Sequence, residues 1–159
     1  MLYETPASAV FIDPLADERD EEFWAWADAR CAGREVVVAV TIGYHERSRT
    51  RFVSRYEATS SLPEQVVACA FPALEETMYW LPGDRALVPG DQLLGDGDGG
   101  LRLCPHSWLD HLEAVPTAAQ VHEILGVLRD LDAELVLVSH GEPVLAAGGA
   151  ALRRALAPA

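Results

Sequence analysis

Two carboxylates and two imidazoles stand where a chain of this pattern could do chemistry. His45 and Glu46 follow the β-branched run at 36–40, Asp91 follows the apolar stretch 86–88, and His140 follows the apolar stretch 135–138. Loops that leave the carboxyl ends of buried strands carry ligand sites because the scaffold there is rigid while the loop side chains converge on a crevice. Neutral imidazole and carboxylate oxygen are natural ligands of borderline and hard divalent cations, so a metal site is one reading of these residues. The other is that each merely caps a strand or hydrogen-bonds to backbone.

Other groups carry less. Cys104-Pro105-His106 sets a thiol near an imidazole, but a nucleophile and its base need convergent side chains and an orienting third group, which adjacency does not supply. Cys31, Cys69 and Cys104 are odd in number and lack CxxC spacing, and they read as small core residues. His111 and His122 fall in expected helices and read as surface imidazoles. Trp24, Trp26, Trp80 and Trp108 read as core or interface anchors. Asp96-Gly97-Asp98-Gly99-Gly100 has the composition of a calcium loop without its ligand spacing or terminal Glu. Arg49, Arg51 and Arg55 read as a solvated helix face.

The elements that must position the candidates follow from pattern. Residues 2–4 and 9–12 flank a Thr-Pro-Ala-Ser turn and form a hairpin. An acidic run at 17–22 opens a helix that ends near Gly33. Residues 36–40 form a strand buried on both faces, and Ser48 caps a helix through Tyr56. Strands are expected at 66–70, 77–81 and 86–88, the last two separated by the turn Pro82-Gly83-Asp84-Arg85. Residues 90–100 are too poor in apolar side chains to be core and read as a functional or mobile loop. Thr117 caps a helix with an apolar stripe from Val121 to Leu131, residues 135–138 form another fully buried strand, and a last helix covers about 149–156.

The 159-residue chain is half hydrophobic and the size of one domain, so a single α/β domain over 1–159 is expected. Its formal net charge of −13 argues against nucleic acid and an anionic membrane surface as partners. All 12 basic residues are Arg, to which we attach no functional weight. No stretch approaches the ~18–20 apolar residues of a membrane span, and no segment near Met1 has the form of a secretory leader, so a cytoplasmic location is expected.

Three stretches, in order, carry a resemblance that covers nearly the whole chain. Leu2-Tyr3-Glu4 with Ala9-Val10-Phe11-Ile12-Asp13-Pro14-Leu15 resembles the first hairpin and "IDP" turn of the metallo-β-lactamase-fold hydrolase superfamily. Tyr79-Trp80-Leu81-Pro82 and Arg85-Ala86-Leu87-Val88-Pro89-Gly90-Asp91 resemble its strand-turn-strand ending in Gly-Asp, and Val136-Leu137-Val138-Ser139-His140-Gly141 its late strand ending in Ser-His-Gly. The resemblance implies a reduced αββα sandwich of two mixed sheets with helices outside. The chain is a divergent, short member of that pattern, lacking sequence between Tyr56 and Val66.

The departures concern the metals. Where the family has HxHxDH, this chain reads Ile42-Gly43-Tyr44-His45-Glu46-Arg47, and where it has Pro-Gly-His, the counterpart is Phe71-Pro72-Ala73-Leu74. The resemblance thus implies that the three-histidine metal is lost, while Glu46, Asp91 and His140 represent the second metal's ligands and His45 is a further candidate. A guanidinium can replace a cation among carboxylates. The first reading is therefore a fold without a dinuclear centre and with little or no hydrolase activity. In it, Arg47 or an ordered water network fills a cleft shared with Asp13. The alternative is one divalent ion (Zn, Fe or Mn) serving hydrolysis of an ester, thioester, amide or phosphoester, with Asp91 or Glu46 orienting water. A small-molecule ligand is compatible with both, and a shortened sandwich would expose apolar surface that a homodimer covers.

Overall fold

The computed structural model describes residues 1–157. They form two compact units, divided between Gln65 and Val66.

In the first unit β1 (Leu2–Glu4) and β2 (Ser8–Ile12) form the expected antiparallel hairpin. Helix α1 (Glu21–Cys31) starts at Asp20, whose carboxylate accepts from the Phe23 amide, with Glu21 and Glu22 in the first turn where the helix dipole favours negative charge. Strand β3 (Glu35–Ala39) pairs parallel to β2, with Ile12 opposite Ala39. Its valines are buried, as a strand covered on both faces requires. Helix α2 (Arg49–Tyr56) begins after Ser48 as expected, but the Ser48 hydroxyl makes no cap bond and accepts instead from the Ala16 amide. Phe52, fully buried, lies with ring centroids 4.6 Å from Phe11 and 5.2 Å from Trp24, so packed rings anchor both helices to the sheet. The arginines of α2 are not simply solvated. Arg55 holds Asp28 through two hydrogen bonds, and Arg51 donates to the Ala16 carbonyl.

In the second unit β4 (Val67–Phe71), β5 (Glu76–Leu81) and β6 (Ala86–Val88) run antiparallel in succession. The Pro82–Asp84 turn closes with Arg85 in the left-handed region. The Gly/Asp-rich stretch departs from expectation. It contains β7 (Leu93–Gly95), buried and paired with β8 (Leu101–Leu103), because Leu93 and Leu94 supply enough apolar surface to enter the core. Asp96 Oδ1 accepts from the amides of Asp98 and Gly100 and shapes the connecting turn, so its carboxyl titrates below the ordinary range through those bonds.

Thr117 forms a capping box with Gln120 at the start of α3 (Ala118–Leu125), which tightens into a 3₁₀ turn at Gly126–Asp130 instead of continuing as one helix. Strand β9 is shorter than the sequence suggests, Leu135–Val136 alone. Only Val136 of 135–138 is fully buried, and there the chain folds back so that Val136 and Val144 exchange hydrogen bonds. Helix α4 (Gly148–Ala155) packs Ala151 and Leu152 into the core of this unit. Among the described residues, no helix is long and apolar enough to cross a membrane.

Candidate functional site

The parallel pairing of β2 with β3 sets the site residues of the first unit. Parallel neighbours end at the same side of a sheet, so Asp13, after β2, emerges beside residues 40–42, after β3. The Asp13 amide donates to the Ala39 carbonyl at 3.0 Å, and Asp13 takes a left-handed φ of 48°, a conformation that Asp tolerates better than most residues. Its carboxylate accepts from the Thr41 amide at 2.8 Å and from the Thr41 hydroxyl at 2.5 Å. A 3₁₀ turn at Gly43–His45 then brings His45 Nδ1 to 2.9 Å from Asp13 Oδ2. A carboxylate on Nδ1 fixes the tautomer with the proton there and the lone pair on Nε2, the arrangement in which imidazoles ligate metals.

The neighbours of His45 behave differently. Ile42 is buried and Tyr44 is 63% exposed, so no imidazole pair stands where the family's HxHxDH signature would put one. Glu46, a candidate ligand from the sequence, has a side chain 58% exposed and pairs with Arg49 at 3.2 Å, one helical turn onward. Arg47, the candidate replacement cation, is exposed. The 3₁₀ turn explains both. It carries His45 inward on one step and the next two side chains outward.

A second parallel pair sets the site residues of the other unit. Ala86 lies opposite Leu135 and Leu87 opposite Val136, so the chain leaves β6 and β9 on the same side. Asp91 and His140 ride on these exits. His140 Nε2 stands 3.4 Å from Asp91 Oδ1, with Asp91 largely buried and His140 half-exposed. Trp108, on the 3₁₀ turn His106–Leu109, meets the His140 ring edge to face at a centroid distance of 5.6 Å. The His140 loop is held by backbone: its carbonyl accepts from the Gly95 amide at 3.0 Å, and Gly141 turns away at φ +82°.

Glu76 is the residue that sequence reasoning missed. It is buried at the start of β5, with Oε1 accepting from the Gly90 amide at 3.0 Å and Oε2 from the amides of Asp91 at 2.9 Å and Gln92 at 3.0 Å. Burial pushes its carboxyl up to about 7, against the pull of three N–H donors, with the Asp91 charge adding to the push. Period-two alternation was the available signal, since it puts Glu76 on the same buried face as Met78.

Among the weaker candidates, Cys104 and His106 do not form a nucleophile–base pair. The Cys104 thiol faces Gln92 and burial pushes it up to about 11, while His106 Nε2 bonds the Pro116 carbonyl at 3.0 Å. Cys31 is raised to about 11 by the same cause. His111 is exposed, but His122 is half-buried on α3 and so is not the surface imidazole expected.

Among the described residues, the second unit thus brings a carboxylate, Asp91, and an imidazole, His140, together, donors that suit a single Zn, Fe or Mn ion. In tetrahedral zinc sites with bonds of ~2.0–2.1 Å, neighbouring ligand atoms stand about 3.3 Å apart. The 3.4 Å between Asp91 Oδ1 and His140 Nε2 fits that edge, and it is long for a charge-assisted hydrogen bond.

Solved structures with this fold are numerous but distant in sequence. The chain matches VMB-1 with a TM-score of 0.64 at 13% identity, covering 99% of this chain and 82% of that one. It matches the DIM-1 metallo-β-lactamase with a TM-score of 0.61 at 13% identity over 99% of this chain and 84% of that one. It matches ETHE1 from Myxococcus xanthus with a TM-score of 0.60 at 19% identity, covering 98% and 76% of the two chains. No family model and no curated protein matches the sequence. The fold is therefore the metallo-β-lactamase fold in a reduced form, as the sequence motifs imply. On that fold, among the described residues, the second unit keeps the Asp91–His140 pair, donors for a single metal ion.

Proposed function

We propose that this chain is a hydrolase dependent on a single metal ion, with Asp91 and His140 as protein ligands and with residues 1–159 acting as one functional domain. The observation that carries the reading is the Asp91–His140 pair, held at a ligand-to-ligand distance by two adjacent strand ends. Within the first unit Asp13 holds His45 by its Nδ1, whereas Glu46, the other candidate there, is exposed and engaged with Arg49. The exposure of Arg47 weighs against the competing reading, in which its guanidinium stands in for the metals.

A bound ion would supply a water acidic enough to attack at neutral pH and a Lewis acid for the scissile carbonyl or phosphoryl group. The chain's own contribution is to hold Asp91 and His140 at ligand-to-ligand distance and to seat the Asp91 carboxylate where it can also orient water. Trp108 offers an aromatic face beside His140 for an apolar part of the substrate. Substrates are an ester, thioester, amide or phosphoester.

Protein prepared without chelator should contain a single divalent ion per chain and hydrolyse a generic ester or thioester in a chelator-sensitive way. Metal-free protein that gains neither ion nor activity on incubation with Zn(II), Mn(II) or Fe(II) would return the chain to the non-catalytic reading.

We also propose that the protein is a homodimer that works in the cytoplasm on a small molecule, without nucleic-acid or membrane partners. Support for association comes from the first unit. There Leu15 is 66% exposed beside Met1, Phe23 and Trp26 around an apolar groove of about 140 Å³. Light scattering at tens of micromolar should give twice the mass of the chain, and a monomeric mass would refute the association.

A further inference from the structure

Buried carboxylates are costly to keep without partners, so a carboxylate spent wholly on one loop indicates what that loop must do. Glu76 is such a group. Its side chain comes from β5, and both its oxygens are used on three consecutive amides, Gly90, Asp91 and Gln92, which form the exit from β6. Three converging N–H donors with no side-chain donor among them make a backbone cradle closed around the Glu76 carboxyl group. The middle amide of the three belongs to Asp91, whose carboxylate approaches His140. With its main chain anchored at the residue itself and on both sides, Asp91 retains only side-chain rotation.

We infer that Glu76 is a positioning residue for the metal site. By gripping the amides of residues 90–92 it presets the Asp91 carboxylate for coordination before any ion arrives. The inference rests on the single-metal reading above. Outer-shell groups that orient ligands alter metal affinity by ~10–100-fold when changed. Glutamine at position 76 keeps the size of the side chain but replaces one acceptor with an N–H₂ donor aimed at amides that are themselves donors. The cradle then cannot close on both sides.

The test uses the intact chain and Co(II) or Zn(II) as the probe. Glu76→Gln is expected to stay folded by circular dichroism, to bind the metal ~10–100-fold more weakly in competition titrations, and to change the visible Co(II) spectrum, because the Asp91 ligand is no longer fixed. Hydrogen exchange in the metal-free wild-type protein should show the amides of Asp91 and Gln92 protected like strand amides, a readout that holds even if the variant fails to fold. Exchange of these amides at loop rates overturns the proposal. So does a folded Glu76→Gln variant whose Co(II) affinity lies within twofold of wild type. If the wild-type protein binds no metal while the amides are protected, it is the single-metal reading that fails, and the role of Glu76 in serving an ion falls with it.

Discussion

Asp91→Ala is expected to leave the protein folded but unable to retain a metal ion, and to remove chelator-sensitive hydrolysis with it. Asp91 is the anionic member of the proposed ligand set, and its Oδ1 lies 3.4 Å from His140 Nε2. Substituting an outer-shell partner costs ~10–100-fold in metal affinity, and losing a charged ligand itself should cost more than that upper bound. The fold should tolerate the change, because the loop is held through the amide of residue 91 rather than its side chain. Asp91→Asn makes a sharper comparison, as it keeps the shape and removes the charge. Elemental analysis after dialysis checks the loss directly. An Asp91→Ala protein that still carries a stoichiometric ion and still hydrolyses ester would remove Asp91 from the ligand set.

The second large effect is on stability. A Cβ on Gly95 would lie 2.2 Å from the Glu142 carbonyl oxygen and 2.6 Å from the Glu142 nitrogen, and these are backbone atoms that cannot rotate aside. Gly141 faces the same constraint from the other side, with a built Cβ 2.7 Å from the Gly95 oxygen. Two backbones therefore pass at a separation that only glycine permits. Forcing extra atoms into a packed site costs ~1–3 kcal/mol and sometimes more. For Gly95→Ala we expect about 3 kcal/mol, which in a domain of this size is a fall in Tm of roughly 6–12 °C. Gly83→Ala provides the control, since a Cβ there meets nothing within 4 Å, and it should be close to neutral. Equal melting temperatures for Gly95→Ala and wild type would show that the His140 loop is not clamped as described. Weaker metal binding should accompany the destabilisation, because the Gly95 amide is the donor to the His140 carbonyl.

Much of the fold was legible because its signals are local. Alternation, β-branched runs and capping residues found the first hairpin, the buried strand at β3, the helix after Asp20 and the Thr117 cap. The errors arose where tertiary contacts override composition. Leu93 and Leu94 are only two apolar residues in a Gly/Asp-rich stretch, too few to announce a strand, yet pairing with β8 makes them core. At residues 135–138 an apolar run promised a buried strand, but only Leu135–Val136 form one, and Leu137 and Val138 stay partly exposed.

The site was legible in a similarly uneven way. Asp91 and His140 stood out because strand-end positions and short motifs identify them, and they come together in the second unit. That His45 is buried and Glu46 exposed depends on the three-residue 3₁₀ turn at Gly43–His45, which adjacency in sequence cannot supply. Alternation could place Glu76 on the buried face of β5 but could not show what it does there. Its partners are main-chain amides fourteen to sixteen residues away, and such bonds leave no mark in residue identity.

That last property bears on how such a site can change over generations. The Glu76 grip reads only amides, so it is indifferent to which side chains residues 90–92 carry, provided none is proline. A lineage could exchange the side chain at position 91, and with it the affinity for an ion, without rebuilding the loop that displays it. The same carboxylate would then keep a vacated position in shape for a later substitution, so that loss of a ligand here is reversible by a single codon. Positions held by their own side chains, such as Asp13 with its bonds to Thr41 and His45, have no such latitude.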